Sequence, residues 1–294
     1  MQARCQELAT VLAQDPGRRR IPVLACPQAL AEAVNVLRKA RTVVLISGFY
    51  IGRFSAWETD GPLGTLVLAL ALQQVGTRPI IFTDAGAVPI FAAGTQTLNL
   101  QLPLLGFEPG VAPTLDRLLQ YEPDAVVAIE RCGQAANGRY YNASGIEVTE
   151  QVAHFDPLFV GAKAAGIPTI AVGDGGNELG FGTRLHEAEI LLGPEKWIAC
   201  VSPASILIAC GVSNWGGYAL AVLLTWLKRS ELACSEAMLK ETLASMVAAG
   251  AIDGISGQRT LTVDGLPLTV ELATFNQLQA ALPPLAQVVV GEGN

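Results

Sequence analysis

Charged residues and histidines are scarce in this sequence. Asp, Glu, Lys and Arg together make up 15% of the 294 residues, whereas hydrophobic residues make up 51%. With only two histidines, His154 and His186, a histidine-rich metal site is excluded. The six cysteines are far apart and form no CxxC pair, which argues against a zinc cluster. We expect buried free thiols in a reducing compartment.

Net positive charge and long apolar runs are also lacking. The formal net charge is −7 and no basic stripe occurs, so nucleic acid is not expected as a partner. The longest apolar runs, such as Leu66–Leu72 and Ala219–Leu224, are well short of the roughly 18 residues that a membrane span needs. No basic segment followed by an apolar stretch opens the chain, so a secretory signal is not expected. These absences predict a cytoplasmic protein without a membrane partner, whose apolar helices could form a homo-oligomer interface.

Buried strands alternate with helices along most of the chain. Short apolar runs that are typical of strands cover residues 42–46, 79–82, 124–129, 168–172 and 206–209. Helical patterns cover residues 27–41, 63–75 and 215–228. This alternation predicts an α/β fold with a doubly wound, mostly parallel, Rossmann-like sheet.

The C-terminal region has a different pattern. Polar and apolar residues alternate over 259–270 around Asp264-Gly265, which predicts an antiparallel β-hairpin, and a helix is expected over 271–282. No repeat or low-complexity linker divides the chain. We therefore expect one domain over residues 1–294, with residues 1–26 as an N-terminal extension of unknown role.

The most informative segment is Gly173-Asp174-Gly175-Gly176-Asn177-Glu178-Leu179-Gly180, which directly follows a predicted strand. Ligands of open α/β sheets bind outside the carboxyl ends of the strands, so these polar residues lie where chemistry is expected. Glycines let backbone N–H groups approach a ligand closely. Neither GxGxxG nor GK[ST] occurs here, so nucleotide binding is weakly indicated. An ordinary turn with polar residues is the alternative interpretation.

Other predicted strands also end in polar residues. These are Ser47-Gly48, Thr83-Asp84, Glu130-Arg131 and Ser213-Asn214, and Asp60-Gly61 lies in the loop after the first strand. Because parallel strands have their carboxyl ends at one edge, these groups can converge and hold both a general acid and a general base. The carboxylates Asp60, Glu130 and Asp174 could instead hold Mg²⁺.

Each of these residues also has a purely structural interpretation. Asp60 could cap the helix that begins near Pro62, and Asp84 could cap a turn. Glu130-Arg131 could be an ion pair, and Ser213-Asn214 could be a helix cap. The spacing alone leaves these alternatives open.

Several segments, in matching order, resemble the D-glutamate cyclase C-terminal domain family. They are residues 58–62, 128–131, 140–143, 173–180, 209–220 and 263–267. The similarity extends from about residue 40 to about residue 280. Larger relatives in the family have a separate N-terminal domain before this one, and we expect no counterpart of it in this chain. The resemblance implies a hydro-lyase that closes D-glutamate to 5-oxo-D-proline and water, with an amino acid as its small-molecule substrate.

The resemblance also implies roles for the polar residues. The amine must lose a proton and the departing oxygen must gain protons, so we expect Asp174 or Glu178 as the base and Glu130 as the acid. Arg131 would clamp the α-carboxylate, and the N–H groups of Gly175 and Gly176 would stabilise the oxyanion. The further substrate-binding candidates are Ser47, Gly48, Asp60, Gly61, Asn142, Asn177, Ser213 and Asn214. A metal-dependent enzyme for another small anionic metabolite and a non-catalytic ligand sensor are the alternatives.

Overall fold

Six parallel strands form the central sheet of the computed structural model, which describes residues 1–285. The strands in this part of the chain are β1 (Thr42–Ser47), β2 (Tyr50–Ile51), β3 (Ala56–Trp57), β4 (Arg78–Asp84), β5 (Leu104–Phe107), β6 (Ala125–Ile129), β7 (Thr169–Gly173), β8 (Ile206–Ala209), β9 (Thr262–Val263) and β10 (Leu266–Pro267). The order in the central sheet is β5-β4-β1-β6-β7-β8. The chain thus builds outward from β1 to β5, returns to β6 and continues in the other direction.

This order is the one found in doubly wound dinucleotide-binding sheets, and it confirms the predicted Rossmann-like α/β fold. The direction of winding reverses between the neighbours β1 and β6, which pair from Val43 and Ala125 to Ser47 and Ile129. Ligands of such sheets bind in the crevice at this reversal, outside the carboxyl ends of the strands. The fold therefore places Glu130, directly after β6, in the expected crevice.

Helices cover both faces of the sheet. They are α1 (Gln2–Leu12), α2 (Pro27–Leu37), α3 (Pro62–Gln74), α4 (Val88–Thr97), α5 (Leu115–Leu119), α6 (Asp156–Ala164), α7 (Leu185–Leu192), α8 (Ser213–Leu227), α9 (Glu236–Ala248) and α10 (Leu268–Ala280). Because side chains alternate along a strand, Val43 and Leu45 of β1 enter one core, whereas Val44 and Ile46 enter the other. No helix within residues 1–285 is long and apolar enough to cross a membrane.

Helices α3 and α8 cap each other at their N-termini. The carboxylate of Asp60 accepts hydrogen bonds from the N–H groups of Ser213 (2.9 Å) and Asn214 (2.8 Å) at the start of α8. The side-chain oxygen of Asn214 accepts from Gly61 (2.9 Å) and Gly64 (2.7 Å) at the start of α3. Asp60 is therefore a cap, as one interpretation predicted, but for α8 rather than for the adjacent helix. These hydrogen bonds fix the N-terminal ends of α3 and α8 directly behind the crevice.

The predicted C-terminal hairpin and helix are present, with different boundaries. The hairpin contains only β9 and β10, because α10 already begins at Leu268. Asp264 and Gly265 form its turn with φ of 54° and 75°, the conformation that a two-residue hairpin of this type requires. This turn brings Asp264 to the crevice.

The N-terminal extension packs against the rest of the fold. Leu8 and Leu12 of α1 are buried in the core on one face of the sheet. At the end of α1, the carbonyl of Leu12 accepts a hydrogen bond from the N–H group of Gly211, which follows β8 (2.9 Å). The cysteines of residues 1–285 are free thiols, and all but Cys26 are buried. The expectation of buried free thiols is thus confirmed except at Cys26, which is partly exposed.

Candidate active site

A cavity of about 340 Å³ opens at the carboxyl edge of the sheet. It is lined by Arg19, Phe49, Ile51, Arg53, Phe54, Glu58, Glu130, Asn142, Ala143, Ser144, Asp174, Gly175, Asn177, Glu178, Leu191, Leu192, Gly254, Ile255 and Asp264. Most of these residues come from the ends of β1, β6 and β7, the β2–β3 hairpin, the β9–β10 turn and the N-terminal extension. The others lie in the loop between β6 and α6, in α7 and in the loop between α9 and β9. The volume is within the range of small-molecule pockets, which begins at roughly 300 Å³.

Carboxylates converge at the closed end of this cavity. One oxygen each from Asp60, Glu130 and Asp174 lies within 4.8 Å of the others. Their residues are 1%, 5% and 3% exposed, respectively. Glu58 and Asp264, which line the cavity, add two more carboxylates to this group, whereas Asp60 is not among the lining residues. The convergence of Asp60, Glu130 and Asp174 that the strand ends predict is therefore present, and we call these five residues the acidic cluster.

The cation of the acidic cluster is Arg19, which sequence reasoning missed. Its guanidinium forms an ion pair with Asp174 and lies 3.1 Å from an oxygen of Asp264. Asp174 is the main cause that raises the pKa of Arg19 well above its ordinary value, with smaller effects of Asp264, Glu130 and Asp60. The N-terminal extension, which had no predicted role, thus supplies a charged group to the cavity.

A tight backbone turn holds Arg19 in place. The carboxylate of Asp15 accepts hydrogen bonds from the N–H groups of Arg19 and Arg20, both at 2.7 Å. Arg18 and Arg20 adopt left-handed conformations with φ of 55° and 69°, which are uncommon for residues other than glycine. The run Gly17-Arg18-Arg19-Arg20, in a chain with little positive charge, was the signal that could have identified this segment.

Asp174 and Glu130 differ in their charged neighbours. Burial is the largest cause that raises the pKa of Asp174 well above its ordinary value, and Arg19 opposes it. Burial also raises the pKa of Glu130, and the next cause, the negative charge of Asp174, adds to this effect. Within residues 1–285, no lysine or arginine forms an ion pair with Glu130. Arg19 therefore favours the ionised form of Asp174, whereas burial and neighbouring negative charge favour the neutral form of Glu130.

The side chain and the backbone of Glu130 are both constrained at the end of β6. Its carboxylate oxygen Oε2 lies 2.5 Å from the hydroxyl of Ser213, the first residue of α8. Its backbone has a φ of 43°, and strained conformations of this kind cluster at functional sites. Ser213 was predicted to bind substrate, but its hydroxyl contacts Glu130 and it does not line the cavity.

The carboxylate of Glu178 organises the glycine-rich loop. It accepts hydrogen bonds from the N–H groups of Asp174 (3.2 Å), Gly175 (2.6 Å) and Gly176 (2.6 Å). The predicted use of Gly175 and Gly176 to stabilise an oxyanion is therefore wrong, because Glu178 already occupies both donors. Glu178 lines the cavity, but its carboxylate oxygens already accept three N–H groups from the loop, whereas Asp174 faces Arg19.

Arg131 is not in the cavity, so its predicted role as a substrate clamp is also wrong. Its side chain is 0% exposed and forms an ion pair with Asp84, at the end of β4. It also donates to the carbonyls of Gly48 (2.9 Å) and Ala153 (2.5 Å) and lies over the ring of Phe155. The ion pair predicted between Glu130 and Arg131 does not form, because Arg131 pairs with Asp84 instead. Asp84 is a buried partner rather than a turn cap.

The remaining predicted residues divide into two groups. Asn142 and Asn177 line the cavity: the side chain of Asn177 donates to the carbonyl of Tyr141 (3.0 Å), and that of Asn142 accepts from Ser144 and Ile146. The others lie behind the cavity wall and do not line it: Ser47, Gly48, Asp60, Gly61, Ser213 and Asn214. Sequence reasoning missed the lining residues Glu58, Arg53 and Asp264. Glu58 lies in a segment of family resemblance, and Asp264 was interpreted only as a turn residue.

The oxygens of Asp60, Glu130 and Asp174 could also hold a divalent cation. An all-carboxylate donor set suits Mg²⁺, which prefers oxygen ligands. However, Asp60 already accepts three N–H groups, from Gly61, Ser213 and Asn214, and Asp174 already pairs with Arg19. A bound cation would therefore compete with Arg19, and Mg²⁺ binding stays a prediction.

Two comparisons relate this chain to known proteins. A family model described as "D-glutamate cyclase-like, C-terminal" matches residues 8–279, which include Arg19 and the whole acidic cluster. The human protein "D-glutamate cyclase, mitochondrial" is 36% identical in an alignment of 235 residues that covers 74% of this chain and 38% of that protein. The chain therefore spans less than half the length of this relative. The relative's name places it in mitochondria, and the cytoplasmic location expected for this chain stays a prediction. The chain belongs to the D-glutamate cyclase-like C-terminal family.

Proposed function

We propose that this chain is an enzyme that closes D-glutamate to 5-oxo-D-proline with release of water. The observation that carries the proposal is a pair of buried carboxyl groups with unlike surroundings. Glu130 has no ion-pair partner within residues 1–285, whereas Asp174 lies beside Arg19. Family membership and the name of the human relative, a D-glutamate cyclase, support it. Because this chain spans only 38% of that relative, the activity is inferred from the site rather than transferred whole.

The reaction transfers protons between groups in the site but neither consumes nor releases a proton overall. The α-ammonium of glutamate loses one proton to become a nucleophile, and the nitrogen loses a second after it bonds to the γ-carboxyl carbon. The bond from that carbon to one oxygen breaks, and this oxygen leaves with two protons as water. A general base and a general acid on opposite sides of the reacting carbon therefore suffice.

The two carboxyl groups fit these two tasks. Arg19 favours the ionised form of Asp174, so Asp174 is the base that accepts the proton from the amine. Glu130 is the acid that protonates the departing oxygen, because burial and neighbouring negative charge keep its proton bound. Such acid–base groups typically contribute about 10²–10⁴-fold to a rate.

The cavity also contributes by holding the substrate bent. Nucleophile and electrophile belong to one molecule, and well-oriented intramolecular reactions reach effective molarities of about 10⁵–10⁸ M. Phe49, Ile51, Leu191 and Leu192 form apolar walls against which the methylene carbons of a bent glutamate can pack. No nucleotide is needed to activate the carboxyl group in this scheme.

A metal-dependent reaction at the same site is the second candidate. It is favoured by the oxygens of Asp60, Glu130 and Asp174, which lie within 4.8 Å of one another. It predicts that a chelator abolishes activity and that Mg²⁺ restores it. The scheme based on Arg19 predicts activity in the presence of a chelator.

The test is to incubate the full chain with D-glutamate or L-glutamate, each with Mg²⁺ or with EDTA, and to measure 5-oxoproline by mass spectrometry. A reaction without protein corrects for spontaneous cyclisation. Asp174→Asn removes the base and should abolish turnover, whereas Asp116→Asn, at an exposed position on α5, should not change it. Wild-type rates in Asp174→Asn would refute the assignment of the base. Binding of D-glutamate without product from the wild-type chain would instead identify a ligand sensor.

A further inference from the structure

We infer that Arg53 binds the α-carboxylate of the substrate at the mouth of the cavity, so that the α-amine and the γ-carboxyl group face the acidic cluster. The inference rests on the proposed function and adds to it the orientation of the substrate and a residue that determines specificity. Arg53 lines the cavity and is exposed, whereas the residues of the acidic cluster are largely buried.

In the described part of the chain, the charges that line the cavity leave Arg53 as the cation without a carboxylate partner. Five carboxylates and two arginines line it, and one of the arginines, Arg19, already neutralises Asp174 and Asp264. Within residues 1–285, Arg53 forms no ion pair with a carboxylate. A substrate with two carboxylates needs a cation that is not already neutralised, and among the lining residues Arg53 meets this requirement.

The backbone of Arg53 is held by a tightly packed turn. It lies in the turn between β2 and β3, where the carbonyl of Ile51 accepts hydrogen bonds from Phe54 (3.0 Å) and Ser55 (2.9 Å). A Cβ atom at Gly52 would lie 3.0 Å from Ile146, and one at Gly257 would lie 2.5 Å from the ring of Phe54. The turn is thus packed tightly against Ile146 and Gly257, although within residues 1–285 the guanidinium of Arg53 has no ion-pair partner.

The two carboxyl groups of glutamate need different surroundings during the reaction. The γ-carboxyl group loses an oxygen as water and needs an acid beside it, which the acidic cluster provides. The α-carboxylate keeps its charge throughout the reaction and in the product, so it needs a permanent cation. Arginine is always charged in proteins and can bind a carboxylate through two parallel hydrogen bonds. The separation of Arg53 from the acidic cluster matches this difference between the two groups.

The test compares Arg53→Gln, Arg53→Lys and the control Arg41→Gln, which alters a side chain that is 91% exposed at the opposite end of β1. Loss of a charged hydrogen-bond partner should raise KM for D-glutamate roughly 10- to 100-fold in Arg53→Gln, with kcat changed by less than about threefold. Arg53→Lys should lie between it and the wild type, because lysine keeps the charge but not the fork. Arg41→Gln should behave as the wild type.

Two lactams distinguish the two ends of the substrate. 5-Oxo-D-proline keeps the α-carboxylate, whereas 2-pyrrolidinone lacks it and is otherwise the same ring. We expect Arg53→Gln to weaken inhibition by 5-oxo-D-proline roughly tenfold or more and to leave inhibition by 2-pyrrolidinone unchanged. A raised KM for D-glutamate with an unchanged ratio of the two inhibition constants would overturn the inference, because Arg53 would then bind the γ-carboxylate. Wild-type constants in Arg53→Gln would overturn it as well.

The same experiment separates this inference from the proposed function. If the wild-type chain forms 5-oxoproline from D-glutamate but Arg53→Gln has an unchanged KM, only the role of Arg53 is refuted. If the wild-type chain forms no product and binds neither D-glutamate nor 5-oxo-D-proline, the proposed function is refuted and this inference with it. Since Arg53 is exposed, thermal unfolding of Arg53→Gln should match that of the wild type.

Discussion

The guanidinium of Arg19 and the carboxylate of Asp174 form an ion pair that joins the N-terminal extension to the loop after β7. The two residues are 155 positions apart in the chain, and their side chains are 25% and 5% exposed. Burial raises the pKa of Asp174 and Arg19 opposes this effect. The pair therefore sets the protonation of the proposed base and makes the N-terminal extension part of the site.

Arg19→Ala should lower activity and shift its pH dependence. Without the guanidinium, nothing in the described residues opposes the effect of burial as strongly, so the pKa of Asp174 rises further. The base is then protonated over a wider range, and the acidic limb of the kcat/KM profile moves to higher pH. We expect a loss of roughly 10²-fold near neutral pH, measured as 5-oxoproline formation between pH 5 and pH 9.

Arg19→Lys serves as the matched control for this prediction. Lysine keeps the positive charge, so the acidic limb should stay closer to that of the wild type, although contact with both Asp174 and Asp264 is weakened. An acidic limb that does not move in Arg19→Ala would show that Arg19 does not control the protonation of Asp174. Addition of Mg²⁺ to Arg19→Ala would show whether a divalent cation can replace the guanidinium.

Glu130→Gln should remove the acid while keeping the fold. Glutamine has nearly the same shape and can still bond to the hydroxyl of Ser213, so thermal unfolding should change little. We expect kcat to fall by about 10²–10⁴-fold. Because the pKa of Glu130 is raised, the wild type should lose activity as the pH rises and Glu130 ionises. This alkaline limb should be absent in Glu130→Gln, and a wild-type kcat in that variant would contradict the assignment.

Helices α3 and α8 cross so closely that a methyl group cannot fit between them. A Cβ atom at Gly64 would lie 2.6 Å from the Cα atom of Asn214, and one at Gly217 would lie 2.5 Å from the carbonyl oxygen of Gly64. We expect Gly64→Ala to lower the free energy of unfolding by about 1–3 kcal/mol, as overpacking does in cores. It should also lower kcat, because the helix ends that it displaces carry Asp60 and Ser213. Urea denaturation and the turnover assay measure the two effects.

Gly161→Ala is the control for steric crowding. Gly161 lies within α6, and a Cβ atom there would have only ordinary contacts with Leu115, at 3.6 Å or more. Alanine favours a helix interior over glycine by roughly 0.5–1 kcal/mol, so this variant should be slightly more stable than the wild type. If Gly64→Ala also stabilises the chain, the close crossing of α3 and α8 is not a constraint.

The strand pattern made half of the site predictable. Apolar runs that end in polar residues located the ends of β6 and β7, and parallel pairing brings such ends to one edge, which placed Glu130 and Asp174 together. The same pattern could not show the direction of each side chain. Glu130 and Arg131 are neighbours, but only Glu130 lines the cavity, and Arg131 pairs with Asp84 from another strand.

The other half depends on contacts between distant parts of the chain. Arg19 reaches the cavity because Leu8 and Leu12 anchor α1 in the core, and no local pattern around Arg19 encodes that packing. Asp264 adopts the turn conformation that the sequence predicts. Its role in the cavity, however, depends on where the hairpin lies in the fold. Backbone conformations were predictable from local sequence, whereas the partners of buried charges were not.

Glu271 gives a prediction about stability that does not involve turnover. This residue at the start of α10 is 0% exposed, and its carboxylate accepts hydrogen bonds from Trp215 Nε1 (2.9 Å) and the hydroxyl of Tyr218 (3.0 Å). Burial raises its pKa from 4.5 to about 7, against the effect of both hydrogen bonds. The folded chain therefore binds this proton more tightly than the unfolded chain does.

The sign of the pH dependence follows from this difference. The favourable contribution of protonated Glu271 is fully present below about pH 4.5 and is lost as the pH rises through about 7. Since each pKa unit corresponds to about 1.4 kcal/mol, the contribution amounts to about 3 kcal/mol between these limits.

Glu271→Gln keeps the shape and takes up no charge, so its free energy of unfolding should exceed that of the wild type at pH 8 and approach it at pH 5. Urea denaturation at both values, with the exposed Glu241→Gln as the control, measures this difference. Equal stability differences at the two pH values would show that Glu271 has the same pKa in the folded and unfolded chains.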